Sequence, residues 1–288
     1  MSQAIKIVTD SSVLLTPNEI KENSLTIVPL SVEVGGKNYV DGENITRAEL
    51  VEALKNGQIP KTSQPALGQF VDTFDKLGAD GSEVIAILLS DVLSGTFDTA
   101  QKAAEMTDTK VTVINSKSTD RGLAFQVLAA AQDVRDGKNI AEIKEHCAEI
   151  YSRTSIEVLI DSLDCIVAGG RISKMTGLIA KLANIKVVVE LHDKTLDVVS
   201  KGRSSKSLIR FVEKIADLHK SENNPIQALA LPNVAADQSM LDKVKQILIG
   251  DRPDTPFIAD LTSPIIITHT GLKAIGVITL ASKPREQF

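Results

Sequence analysis

The stretch Val84-Ile85-Ala86-Ile87-Leu88-Leu89-Ser90-Asp91-Val92-Leu93-Ser94-Gly95-Thr96-Phe97 decides the reading of the fold. Its first six residues are apolar with no polar alternation, the pattern of a strand buried on both faces, as in a parallel sheet. The run enters a Ser-Gly-Thr turn where a helical pattern begins, which is the strand-to-helix order of an α/β unit. Similar short runs rich in Val and Ile occupy 4–9 and 110–115, and helical patterns fall at 46–56, 65–77, 97–106, 119–135 and 140–153. Residues 1–155 are therefore expected to form a Rossmann-like α/β domain, a parallel sheet with helices on both faces. Within it, 25–34, the turn Gly35-Gly36-Lys37-Asn38, and Tyr39-Val40 read as a β-hairpin whose glycine pair supplies the turn.

The second half has another rhythm. Val187-Val188-Val189-Glu190-Leu191 and Leu196-Asp197-Val198-Val199 flank His192-Asp193-Lys194-Thr195 as a second hairpin. Strands at 226–231, 257–261 and 274–280 alternate with helices at 205–221 and 238–248. This predicts an α+β domain over 156–288, with helices on one face of a mainly antiparallel sheet. The boundary falls near 153–160 without a proline-rich linker, so the two halves are expected to pack closely.

Composition narrows the function. The 288 residues are 43% apolar and 24% charged, but aromatics are only 3% with no Trp, so the cores must be aliphatic. A net charge of -5 argues against a nucleic-acid binder, which needs a basic face. Met1-Ser2-Gln3 leads straight into the strand-like Ala4-Ile5-Lys6-Ile7-Val8, so no signal peptide is expected. No apolar run approaches the ~20 residues of a bilayer span, and no permanent membrane anchor is expected. Cys147 and Cys165 read as reduced thiols of a cytoplasmic protein. Neither they nor His146, His192, His219 and His269 have zinc-ligand spacing, so neither metal nor cofactor is expected. His146, His192 and His219, set among charged neighbours, read as surface residues.

Open parallel sheets bind ligands beyond the carboxyl ends of their strands. Several such ends here carry hydroxyls: Thr9-Asp10-Ser11-Ser12, Ser94-Gly95-Thr96 and Asn115-Ser116. Thr62-Ser63-Gln64 instead precedes a helix that starts at Pro65. Each hydroxyl can be a helix cap or a ligand contact; the N-terminus after Ser94 suits an anion, and Gly95 would let the backbone approach it. The signatures G-x-x-x-x-G-K-[ST], G-x-G-x-x-G and G-x-S-x-G are absent. His269, between Ile265-Ile266-Ile267-Thr268 and Thr270-Gly271, sits at a change of chain direction, either as a site residue or as a half-buried residue bonded to backbone. Gly169-Gly170-Arg171-Ile172-Ser173-Lys174 and Lys201-Gly202-Arg203-Ser204-Ser205-Lys206 each place an Arg and a Lys on a glycine-containing loop. Two basic loops on an acidic chain are solvated surface or a docking site for an acidic partner.

Thr9-Asp10-Ser11-Ser12, Thr62-Ser63-Gln64-Pro65, Leu93-Ser94-Gly95-Thr96, Gly169-Gly170-Arg171-Ile172-Ser173, Gly202-Arg203 and His269-Thr270-Gly271 occur in an order that resembles the DegV family. The likeness is to its fatty-acid-binding members that serve a bacterial fatty acid kinase, and it covers almost the whole chain. It implies one long-chain fatty acid held between two domains. The carboxylate would be bound by Thr62, Ser94 and His269, supported by loop residues Ser63, Gly95, Thr96, Thr270 and Gly271. Arg171 and Arg203 would contact an ATP-dependent kinase that makes an acyl phosphate for phospholipid synthesis. The chain itself would not be the catalyst. One departure is Lys186-Val187, where the family commonly has Lys-Pro after a helix at 173–183.

Two other classes fit single features. Ser94 with His269 as base would make a stand-alone lipid hydrolase, but no motif marks the orienting carboxylate or the oxyanion hole. A phosphate or nucleotide binder would use the same sheet-edge loops, against the missing phosphate-loop signatures.

Overall fold

The computed structural model describes residues 4–176, 185–220, 224–250, 252 and 254–285. In chain order its elements begin with β1 (Ile5–Asp10), α1 (Pro17–Glu22), β2 (Thr26–Val28), β3 (Ser31–Val34), β4 (Lys37–Val40) and α2 (Arg47–Lys55). There follow β5 (Lys61–Ser63), α3 (Leu67–Gly78), β6 (Glu83–Leu88), α4 (Thr96–Ala104), β7 (Val111–Asn115), α5 (Asp120–Arg135) and α6 (Ile140–Arg153). The second half holds β8 (Thr154–Ile160), α7 (Asp164–Ala168), β9 (Met175–Thr176), β10 (Lys186–Leu191), β11 (Leu196–Gly202) and α8 (Ser205–Leu218). It ends with β12 (Ile226–Ala230), α9 (Gln238–Leu248), β13 (Phe257–Ile258), α10 (Pro264–Thr270) and β14 (Ile275–Ala281).

The apolar run at 84–89 becomes β6, every residue of which is buried. It lies in a four-stranded parallel sheet of order β2-β1-β6-β7. Alternate residues of β6 serve opposite faces. Ile85 and Ile87 pack with Leu123, Val127, Ile143 and Cys147 of α5 and α6, whereas Val84, Ala86 and Leu88 pack with Phe70, Phe74, Ala100 and Ala103 of α3 and α4. Both faces are therefore covered by helices, as the sequence pattern requires.

The second sheet has seven strands in the order β13-β12-β14-β8-β10-β11-β9, antiparallel except for its two edge pairings. One face packs on α8 and α9, through Leu159 and Val188 against Leu208, Phe211, Val212, Leu241 and Val244. The opposite face carries Ile156, Val158, Ile160, Val189 and Leu191, and it looks toward the first half of the chain. A third sheet, β4-β3-β5, is antiparallel and packs Leu30, Val32 and Val34 against Leu50 of α2 and against Ile265 and Ile267 of α10. The first and second halves of the chain thus share a core.

Several expectations change. The stretch 25–34 is two strands, because Pro29 has no N–H for a ladder and Leu30 N–H instead donates to Ser11 Oγ at 3.0 Å. β2 joins the parallel sheet, and only β3 and β4 form the hairpin, with Gly35 and Gly36 both at positive φ. β8 begins within the segment read as the boundary, so the second half opens with the central strand of its sheet. Ile265-Ile266-Ile267-Thr268 is helical in α10, where Pro264 at the first turn and Ser263 as N-cap (Ile266 N–H to Oγ, 3.4 Å) start the helix despite its β-branched residues. The family's helix at 173–183 is not found at its start, where Arg171–Lys174 form a 3-10 turn and β9 follows; residues 177–184 lie outside the described residues. The three histidines read as surface are half-buried. His146 Nδ1 meets the buried Asp133 at 2.7 Å, His192 Nε2 meets the buried Glu190 at 3.3 Å, and His219 Nδ1 meets Asn224 O at 3.0 Å.

Candidate binding site

Between the first half and the inner face of the large sheet lies a cavity walled by Leu30, Leu89, Leu93, Ile156, Val158, Ile160, Ile166, Met175, Val189, Leu191, Leu196, Ile265 and Ile266. Its volume is about 110 Å³. The walls come from strand residues at every second position (156, 158 and 160 on β8; 189 and 191 on β10), so the pleat itself makes a continuous aliphatic surface. Polar side chains enter it at a few points: Thr62, Ser94, Thr119, Arg171, His269 and Thr270.

Three of these polar residues are the expected carboxylate ligands. Thr62 is the middle residue of β5, and the strand's alternation turns it inward while Ser63 faces solvent. His269 lies in the last turn of α10, which ends at Gly271 with φ 75. Thr62 Oγ1 and His269 Nε2 are 2.8 Å apart. Ser94 precedes α4, and its Oγ accepts Thr96 N–H at 3.3 Å and lies 2.9 Å from Thr96 Oγ1. Ser94 lines the cavity and accepts from Thr96 N–H, while the N-cap position of α4 is Gly95.

The imidazole is held neutral. Burial, and then the charge of Arg171, push the His269 pKa down to about 3. Its Nδ1 is buried with no hydrogen-bond partner among the described residues. Gly169 explains how the ring is covered, since a Cβ there would stand 2.3 Å from Nδ1. Arg171 was expected on a partner surface; the structure places it in the cavity wall. Its Nη1 donates to Gly169 O at 2.7 Å and its Nη2 to Leu93 O at 3.2 Å, across to the other half of the chain. Its pKa is lowered by burial, and among the described residues no carboxylate pairs with it. Arg203, at the end of β11, is exposed and does not line the cavity.

The supporting residues divide. Thr270 lines the cavity, while its hydroxyl donates to Ile266 O at 2.8 Å. Thr96 is fully buried beneath Ser94. Gly95 does allow a close approach, but to Gln64, whose Oε1 would be 2.3 Å from a Cβ there. Gly271 makes room for Cys165, whose Sγ would be 3.0 Å from a Cβ. Sequence reasoning did not single out Thr119, which lies at the start of the helical pattern at 119–135. It also missed the β8 wall, whose alternation in Thr154-Ser155-Ile156-Glu157-Val158 was the available signal.

An α/β protein of three sheets whose halves meet at an aliphatic cavity with a few polar side chains has the lining of a small-molecule binding site. Residues 4–282 match the family described as "Uncharacterised protein, DegV family", and the chain belongs to that family. A DegV domain-containing protein of Staphylococcus aureus (strain MRSA252) is 37% identical over 275 residues, covering 95% of this chain and 98% of that one. The structure of DegV from Bacillus subtilis, described as a fatty acid binding protein, superposes with a TM-score of 0.87 at 25% identity, over 97% of this chain and 100% of that one. A stearic acid-binding protein from Eubacterium ventriosum superposes with a TM-score of 0.81 at 25% identity, over 96% and 98% of the two chains. Among the described residues no helix is long and apolar enough to cross a membrane.

Proposed function

We propose that this chain binds one long-chain fatty acid between two domains, divided at 155/156, and presents its carboxylate to an ATP-dependent fatty acid kinase. The kinase makes the acyl phosphate used in phospholipid synthesis, and the chain is the substrate-presenting subunit in the cytoplasm. The observation that carries this reading is an aliphatic cavity that ends on Thr62, Ser94 and a neutral His269. Fatty-acid-binding DegV structures of the same fold support the ligand class.

The energetics agree. Each buried methylene is worth ~0.8 kcal/mol, so a sixteen-carbon chain gains roughly 12 kcal/mol before ordering costs. The carboxylate is the costly end, and it needs donors beside the apolar walls. A buried N–H without an acceptor is rarer than an acceptor without a donor, so the orphaned Nδ1 is the unprotonated nitrogen. Nε2–H then donates to Thr62 Oγ1, which frees the Thr62 hydroxyl to donate to a carboxylate, with Ser94 O–H as the second donor. The Arg171 guanidinium, half-buried without a carboxylate of its own, faces the same end as a counter-charge. Exposed Arg203 remains the residue proposed to meet the kinase.

A hydrolase gains no support from this geometry. A nucleophile needs a base within hydrogen-bond reach and a group that orients the base. Here His269 Nε2 is engaged by Thr62, Ser94 Oγ by Thr96, and Nδ1 by nothing among the described residues. The test is denaturing extraction of protein purified from a cellular host, followed by lipid mass spectrometry. About one fatty acid per chain is expected from the slow release of a deeply buried ligand. Absence of fatty acid, with no uptake of added palmitate or oleate, overturns the reading.

A further inference from the structure

Thr62 and Ser94 stand on different sheets, and a residue outside the cavity ties their segments together. Gln64 lies two positions after Thr62, just past the end of β5, and is exposed. Its side chain crosses to α4, where Nε2 donates to Thr99 Oγ1. On the way the amide passes over Gly95: a Cβ on that glycine would stand 2.3 Å from Oε1, 3.2 Å from Cδ and 3.5 Å from Nε2. Gly95 has φ -75 and ψ 10, a negative-φ conformation open to residues with a side chain, so the backbone does not require glycine. What leaves no room for a side chain at 95 is the Gln64 amide.

The contact bridges two bodies. Thr62 belongs to the small sheet, with Val32 as its ladder partner. Ser94 follows β6 of the parallel sheet; its N–H donates to Ser90 O at 3.2 Å and its Oγ accepts Thr96 N–H at 3.3 Å, so it is tied to the first turn of α4. Among the described residues, Gln64 to Thr99 is the hydrogen bond that joins residues 61–64 to residues 90–99. Thr62 is held on its other side by His269 at 2.8 Å.

We propose that Gln64 is a positioning residue of the carboxylate end, setting the spacing between the Thr62 and Ser94 hydroxyls, and that Gly95 is glycine so that Gln64 can lie across it. The inference rests on the fatty-acid reading. Hydroxyl-to-carboxylate hydrogen bonds are short, about 2.5–2.7 Å, so two hydroxyls meet one carboxylate together only at a narrow range of spacings. A strand and a helix start that drift apart lose one of the two bonds. The acyl tail touches the same aliphatic walls at any such spacing, so the effect belongs to the head group.

The test uses two ligands with the same tail. Dissociation constants for palmitate and for hexadecanol, which has no carboxylate, are measured with delipidated wild type, Gln64→Ala, Gly95→Ala and the double variant. Gln64→Ala should weaken palmitate about fivefold, the worth of one hydrogen bond, and hexadecanol less than about twofold. Gly95→Ala should act alike, because its methyl displaces the amide, and the double variant should be no weaker than either single one. Hexadecanol binding shows that each variant is folded with its tunnel intact. If both ligands weaken together, Gln64 and Gly95 serve stability alone. If palmitate affinity is unchanged, Gln64 does not act on the carboxylate, and if the single effects add, the two residues do not act through one contact. Each of these three results overturns the proposal. If neither ligand binds the wild type, the fatty-acid reading falls and this one with it.

Discussion

His269 is neutral because two neighbours make a charge there expensive, first the apolar burial and then the Arg171 guanidinium. Between its usual pKa of 6.5 and its folded value of about 3, the unfolded chain carries a proton that the folded chain does not. The neutral ring therefore contributes stability that is present above pH 6.5 and is lost as pH falls toward 3. Arg171→Gln removes the second cause. The His269 ring should then titrate at a higher pH than in the wild type, read from its imidazole resonances by NMR, whereas an unmoved titration would mean that the guanidinium charge does not reach the ring. The two arginines should also part company in binding. Arg171→Ala takes a counter-charge from the carboxylate end and should weaken fatty acid affinity several-fold, while the aliphatic tail keeps binding measurable. Arg203→Ala should leave affinity alone and reduce acyl phosphate formation with the cognate kinase. Loss of bound lipid in Arg203→Ala would transfer that residue from the partner surface to the cavity.

At the scale of elements, β8 and β10 show what the sequence made legible and what it hid. The β10–β11 hairpin was readable because Val187 to Leu191 and Leu196 to Val199 flank a polar turn, closed here by His192 N–H to Thr195 O at 3.0 Å. β6 was readable because an all-apolar run has few other uses. β8 was passed over because the segment read as the boundary between the halves, although its alternation of apolar and polar residues is a strand pattern. Glu157 is in fact fully buried opposite Glu190 in the β8–β10 register. The proposed carboxylate ligands show the same divide. Thr62 and His269 are 207 residues apart in sequence and are joined only by the packing of α10 on the small sheet, so family resemblance could name them where periodicity could not. Nothing local in the glycine-flanked basic loop reveals that Arg171 also lines the cavity and reaches Leu93 O. The buried Glu157 carries a pH prediction. Burial, and then the charge of Glu190, push its pKa up from 4.5 to about 8. The folded state thus holds a proton that the unfolded state releases, and the associated stability is present below pH 4.5 and is lost as pH rises through about 8. Glu157→Gln mimics the protonated form. Its melting temperature should match the wild type near pH 5 and exceed it at pH 8 and above; a constant offset at all pH values would show that Glu157 does not titrate in this window.

For the whole molecule, the decisive feature is that the cavity has no owner. Leu30, Thr62, Leu89 and Ser94 come from the first half and Ile156, Val189, Ile166 and His269 from the second, so an occupant completes an interface between them. The two halves also meet directly, through polar pairs (Thr62 with His269, Arg171 with Leu93 O, Asp120 with Thr262) and through apolar packing of Leu30 with Ile265 and of Leu93 with Ile156. A ligand that binds the folded state alone adds stability of about RT ln(1 + [L]/Kd), roughly 4 kcal/mol at a thousandfold excess over Kd. Because it touches both halves at once, that stabilisation cannot be confined to one of them. Delipidated protein should therefore melt lower than lipid-loaded protein. Amide hydrogen exchange should rise together on β5 and the 89–94 segment and on β8, β10 and α10. α9 touches the far face of the large sheet and should change least, because its contacts with Leu208 and Phe211 do not involve the cavity. Exchange that rises on the second half alone would place the acyl chain within that half, not between the two.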